Sequence, residues 1–552
     1  MYAAVFLLTL ASLPSAGRAD LALDDNDVVM AAMVDELQRS MAELVLADLA
    51  RPYLIQCRAE DRVTLTMEAY YGGMHRSNVQ RSRVYEGRVR VGSFELDNTN
   101  FPGSFGSRAF LPLDDDYTAI RHAIWWAADA DYKHAVEMLT RKRAHLEDKI
   151  VEDRPDDYLP GETVVLIEPS AELAFDRKEW EGNVARLSAR FKEHRRVQNS
   201  SVSLYAGVVN DHVVSSEGTR LRTADTGVHI RISAELQAEE GMRLRDGLEY
   251  LAEHAEQLPS IEEMLADIDE MCVNLTKLAD AEIMDHYMGP VLFEPGAAGR
   301  LFHALLSEGI CARPVAVGMA ASDKSLERRL GLRILPRSFQ VYDDPRRDSF
   351  EGKLLAGHYD YDDEAVAAQR VDVVVDGKLH SLLASRSPTK KVKGSTGHGR
   401  VIGAGDAQAT VACLFISDDG GVDREELKTE LLEAARDEGL DYALRVEKIE
   451  AHGRGSIGAP VFAYKVYVED GREELVRGLE FLPVRTRVLK RIVAAGDERE
   501  VYNSTSPVVS SIVAPAVIIE ELELAKLKEE FDKKPILQPP SARAIEQSSP
   551  QP

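Results

Sequence analysis

The stretch LFHALLSEG, residues 301–309, holds residues whose type and spacing could do chemistry. His303 lies in a run of helical apolar spacing, and an imidazole on such a helix can bind a metal. In a hydrolytic zinc helix the next residue is a glutamate, which takes the proton as metal-bound water attacks a carbonyl. Here that residue is Ala304, and a methyl group accepts no proton. The next carboxylate along the stretch is that of Glu308. Residues five apart on an ideal helix are separated by about 140°, so His303 and Glu308 do not share a face without distortion. His303 and Ser307 do share one. Three readings stand. His303 packs against a sheet with one hydrogen bond; His303 and Glu308 keep a weak metal; or hydrolysis runs through another base such as Glu294.

A second cluster is YDYDDEA, residues 359–365. It reads as a cation or substrate-amine site, or as a turn with solvated carboxylates. His358, Asp362, Asp363 and Arg370 are its candidates for substrate contact. The turn STGHGR, 395–400, offers backbone N–H groups to a peptide carboxylate or is a Gly-bounded loop. GAGDAQ, 403–408, lacks the strand, helix and Lys-Ser/Thr of a nucleotide loop and is set aside. The four cysteines, Cys57, Cys272, Cys311 and Cys413, match no zinc-finger or redox spacing. One or two disulfides are compatible with an oxidising compartment, but buried free thiols are the expectation.

The elements that must position these groups follow from periodicity. Residues 28–50 read as an amphipathic helix and 52–100 as antiparallel strands broken at Gly72-Gly73. Residues 114–149 read as one long helix or two abutting ones, and 180–194 as a helix. Residues 199–237 give two or three strands with turns at Asn210-Asp211 and Glu217-Gly218, and 244–280 read as helical with a break at Pro259. From residue 289 the chain is strand-rich, with helices at 296–309 and 423–438.

The whole chain sets outer bounds. Its 552 residues amount to about three to four domain-sized units. The net charge of −26 argues against binding a phosphate backbone or anionic lipid. Residues 3–13 are apolar but too short to span a bilayer, and Gly17 and Ala19 sit where a signal peptidase needs small residues. That pattern predicts a signal peptide cleaved after Ala19, and a periplasmic or secreted protein with no membrane attachment after cleavage. The Pro-, Ser- and Gln-rich residues 533–552 predict a disordered tail.

Five stretches in register resemble the TldD/PmbA family, the metallopeptidase-related group also called modulators of DNA gyrase. They are VSSEGTRL (214–221), GPVLFEPGAAGRLFHALLSEGI (289–310), LPRSFQVYDDP (335–345), GHYDYDDEAVAAQRVDVVVDGKLHSLLASR (357–386) and STGHGR (395–400). The resemblance covers roughly residues 55–520. It implies subunits paired around a protected cavity, one carrying a His-Glu-x-x-x-His zinc helix with a further cysteine ligand. On that pattern His303 takes the first histidine position, Ala304 the glutamate and Glu308 the second histidine. This chain therefore looks like the motif-less kind, and Cys413 does not match the family's metal cysteine.

The expected fold is α+β. An N-terminal α/β region (20–150) and a second α/β region (151–285) precede a β-rich C-terminal domain (286–532). The expected function is an exported, non-catalytic subunit that pairs with a metal-bearing homologue, or with itself, to enclose a peptide-degrading chamber. Any zinc would come through the partner. The alternatives are an active zinc metallopeptidase with a rearranged site and a stand-alone peptide-binding protein.

Overall fold

A computed structural model describes residues 27–46, 49–147, 154–402, 405–450, 457–505, 508–528, 534, 535 and 537. The expected signal peptide lies outside the described residues, as does most of the expected tail.

The fold is α+β. Strands Pro52–Tyr70 and Gly73–Val91 form one long antiparallel hairpin. Its turn needs left-handed backbone: Tyr71 has φ 46° and Gly72 φ 82°. A side chain at Gly72 would also meet Ala189 Cβ at 3.0 Å, so glycine is needed there twice over. Strands Asn199–Ser215 and Arg220–Gln237 extend the same sheet through pairing of the first with Pro52–Tyr70. The N-terminal α/β regions thus share one seven-stranded sheet. Helices α1 (Val28–Glu43) and α2 (Tyr117–Glu147) cover one core, built on Met33, Tyr85, Ile120 and Tyr132. Helices α3 (Arg177–Ala189) and α4 (Ile261–Asp280) cover a second, built on Leu187, Leu204, Ile230 and Ile268.

Two local expectations need correction. Asn210-Asp211 is no turn; both residues lie inside Asn199–Ser215, paired with Ala224 and Thr223. Residues 244–280 are not one broken helix. Arg243–Ala252 is a strand on Arg220–Gln237, and α4 begins only at Ile261, behind a Ser260/Glu263 capping box. Leucines at 244, 248 and 251 carry helical spacing, but sheet pairing overrides it.

The C-terminal half is a twelve-stranded, mixed but mostly antiparallel sheet. At its centre Ser510–Lys526 pairs antiparallel with His286–Phe293 and Ile492–Ser504, and parallel with Cys413–Asp418. Alternation along these strands places the two helices. Val291, Phe293, Val517 and Ile519 join the core of α5 (Pro295–Leu306), while Leu292, Ala516 and Ile518 join that of α6 (Arg424–Asp437). With a side-chain period of two, α5 and α6 lie on opposite faces. No helix among the described residues is long and apolar enough to cross a membrane.

Candidate functional site

Helix α5 starts at Pro295, whose fixed φ suits the first helical position, and buries Leu301, Phe302, Leu305 and Leu306. It lies tight on the Ile492–Ser504 strand: a Cβ at Gly299 would meet Tyr502 Cβ at 2.8 Å. Tyr502 is also the neighbour of His303, edge-to-face at 5.8 Å between ring centroids. Arg300 lies over the same ring at 4.7 Å. Burial, and then the Arg300 charge, hold the His303 imidazole below its ordinary pKa. Its one expected hydrogen bond is not present among the described residues; the ring is packed by aromatic contact instead. Ala304 is half-buried beside it.

Glu308 falls past the helix end at Leu306 and pairs with Lys324 at 2.9 Å. Cys311 Sγ donates to the Ser307 carbonyl at 3.0 Å, and burial pushes its thiol up to about 12. The four cysteines are all buried and unpaired. Glu294, at the start of α5, lines a cavity of about 340 Å³. Its Oε1 accepts from Arg424 and Arg445 at 3.2 Å each.

Zinc needs three or four converging donors. Here the imidazole faces Tyr502, the Glu308 carboxylate faces an ammonium, and the nearby thiol is protonated. No group of three or more His, Cys, Asp or Glu among the described residues is arranged to hold a metal. The donor set does not fit the ion.

The acidic cluster behaves differently. Asp362 Oδ1 accepts from the N–H groups of Glu364 and Val366 at 3.0 and 2.9 Å, and Oδ2 from Gly399 at 2.8 Å. Burial, reinforced by Glu364, pushes the Asp362 carboxyl well above the ordinary range. Burial also acts to raise Asp363, but the Arg400 and Arg58 charges and the Val401 N–H outweigh it and hold it low. Glu364 accepts from Tyr158 Oη at 2.9 Å and from the Arg386 N–H at 2.7 Å. The Arg386 guanidinium donates to the Leu159 carbonyl at 2.7 Å and to Glu217 at 2.7 Å.

Of the four residues read as substrate contacts, Asp362 and Asp363 are adjacent and buried in this network. His358 is half-buried. Arg370 stands apart, exposed, donating to Asp372 at 2.9 Å and lying over Tyr342 at 3.8 Å. In the STGHGR turn the Gly399 N–H is taken by Asp362 and that of Gly397 by Ser395 Oγ.

Among the buried pairs that the sequence does not announce is Asp343–His398. His398 Nε2 lies 3.1 Å from Asp343 Oδ1, and both side chains are fully inaccessible. Asp343 also accepts from the Ala412 and Cys413 N–H groups. The turn holding His398 was legible; its partner is 55 residues away.

Residues 286–526 match the PmbA/TldA metallopeptidase C-terminal domain. The C-terminal half is a PmbA/TldD-family domain. An Archaeoglobus fulgidus protein described as a metalloprotease is 30% identical over 145 residues, which is 26% of this chain and 31% of that protein. The chain thus spans less than a third of that curated relative. The fold of the whole chain is shared more widely. TldE from Thermococcus kodakarensis superposes with a TM-score of 0.60 at 13% identity, covering 90% of this chain and 100% of that one. A candidate modulator of DNA gyrase from Thermotoga maritima gives 0.59 at 16% identity, covering 90% and 99%. A second, from Bacteroides thetaiotaomicron, gives 0.56 at 11%, covering 91% and 99%. The PmbA/TldD domain holds α5, the acidic cluster and the Asp343–His398 pair. Tyr158, Leu159, Glu217 and Arg58, which grip the cluster, lie before it in the chain.

Proposed function

We propose that this chain is an exported, non-catalytic PmbA/TldD-family subunit that pairs with a metal-bearing homologue around a peptide-degrading chamber. One observation carries the reading: at α5 the positions of base and second ligand are Ala304 and Glu308, and Glu308 is already committed to Lys324. The likeness to TldE over 90% of the chain supports it. This chain would supply walls and peptide contacts, and the partner the metal. Export rests on the apolar residues 3–13 and the small residues ending at Ala19.

The experiment mixes the purified chain with a homologue that carries an intact His-Glu-x-x-x-His helix. The expected result is a stable complex whose chelator-sensitive peptide cleavage exceeds that of either chain alone. Chelator-sensitive cleavage by this chain alone would replace the proposal with an active, rearranged peptidase. N-terminal sequencing of protein from the native host should begin at Asp20; a start at Met1 would remove export.

A further inference from the structure

A cavity of about 280 Å³ lies where the residues around 323–329 meet those around 485–490, at the C-terminal end of α5. It adjoins α5 directly: Thr486 Oγ1 donates to the Leu305 carbonyl at 2.9 Å, and the Leu326 N–H to the Gly309 carbonyl at 2.9 Å. Leu326 and Ile334 give it an apolar, buried floor. Its charged lining is Lys324, Arg329, Arg485, Arg487 and Lys490, with Asp323 the one acid.

This composition runs against the chain as a whole, in which 93 acidic residues outnumber 67 Lys and Arg. Elsewhere the cations are mostly absorbed: the cavity at the other end of α5 pairs Arg424 and Arg445 with Glu294, and Lys428 with Glu473. At this cavity Lys324 alone is paired, with Glu308. The side chains of Arg329, Arg485, Arg487 and Lys490 make no ion pair or hydrogen bond among the described residues. Four like charges around one concave surface repel one another and focus a positive field into it. A ligand that brings several oxyanion charges relieves that repulsion, and guanidinium forks match planar or tetrahedral oxyanions bidentately.

We propose that this cavity is a binding site for a compact, multiply charged oxyanion, a group of phosphate or clustered-carboxylate chemistry. The site requires neither a metal nor a partner subunit, so it stands apart from the function proposed above.

The test is isothermal titration of the full chain at constant ionic strength with pyrophosphate and, separately, with citrate. One-to-one binding of either ligand is expected, weakened about tenfold or more in Arg485→Gln/Arg487→Gln. Arg143→Gln, an exposed arginine on α2, should bind as the parent does. Binding of pyrophosphate alone assigns a phosphate ligand, and of citrate alone a carboxylate one. No binding of either, or an equal loss in Arg143→Gln, would overturn the proposal. Circular dichroism of each variant separates lost binding from lost fold.

Discussion

Helix α5 and the 357–401 block both carry ionisable residues that invite a catalytic reading, and their surroundings are opposite. On α5, His303 packs edge-to-face with Tyr502 within reach of the Arg300 charge, and no hydrogen bond among the described residues holds it. In the block, Asp362 accepts three bonds, Glu364 two and Asp363 one, several from backbone N–H groups, and Asp363 also pairs with Arg400 at 3.2 Å. These carboxyls are turned to neighbouring N–H and O–H groups, with which a substrate would have to compete. The block is a joint. Its partners Tyr158, Leu159, Glu217 and Arg58 come from the N-terminal half, so the same charges that look like a site fasten one half to the other. Buried carboxyls serve attachment in one region; in the other, an imidazole packs against an aromatic ring.

The comparison is broken most forcefully at Arg386. Its guanidinium is 3% exposed and serves both Leu159 and Glu217. Arg386→Met leaves Glu217 without its cation and the Leu159 carbonyl without its donor. Removing one partner of a buried pair costs about 3–5 kcal/mol. Denaturant unfolding should show that loss. A change under about 1 kcal/mol, the size of an exposed pair, would mean the joint is not what couples the halves.

A smaller loss is expected on the other side of the joint. Tyr158 is buried, and its hydroxyl donates to Glu364 at 2.9 Å. Tyr158→Phe keeps the ring, and with it the Arg90 and Arg386 contacts at 3.7 and 4.5 Å. It strips one bond from a buried carboxyl, a cost of about 1–3 kcal/mol. Measured in the Arg386→Met background, the effect should be less than additive, because both act on one network. Full additivity would show two independent contacts.

These contacts explain what was legible beforehand. Helix α5, α6 and the hairpin strands declare themselves by period, and α5 needs only its own apolar stripe. Several strands passed unread, among them Tyr442–Ile449 and Ile492–Ser504. The second is interrupted by the polar run DERE (497–500), where its register with Ser510–Lys526 shifts between Ala495 and Arg499. Tyr502, which decides how His303 is packed, lies on that strand. Tyr158 and Glu364 are 206 residues apart. Local spacing carries no signal for such a bond. Aspartates 362 and 363 were visible as types, but whether they face water or backbone N–H groups depends on a turn that only tertiary packing closes.

The smallest effect belongs to His303, and it sharpens the comparison through pH. His303→Leu removes no hydrogen bond and keeps an apolar body of similar reach against Tyr502. At pH 8 its stability should lie within about 1 kcal/mol of the parent, since no polar partner is orphaned. Acid should separate the two. Burial and Arg300 place the folded His303 pKa below its ordinary value of 6.5. The unfolded chain therefore binds a proton before the folded one does. The stability this represents is present above pH 6.5, and is lost as pH falls from there through the lower folded pKa. His303→Leu has no such proton to bind, so it should lose less stability than the parent over that interval. Thermal unfolding of both proteins at stepped pH values reads the difference directly. Parallel curves would mean the imidazole is as well solvated folded as unfolded. A variant that loses more stability than the parent on acidification would mean His303 has an acidic partner when folded, and α5 would then resemble the 357–401 block rather than contrast with it.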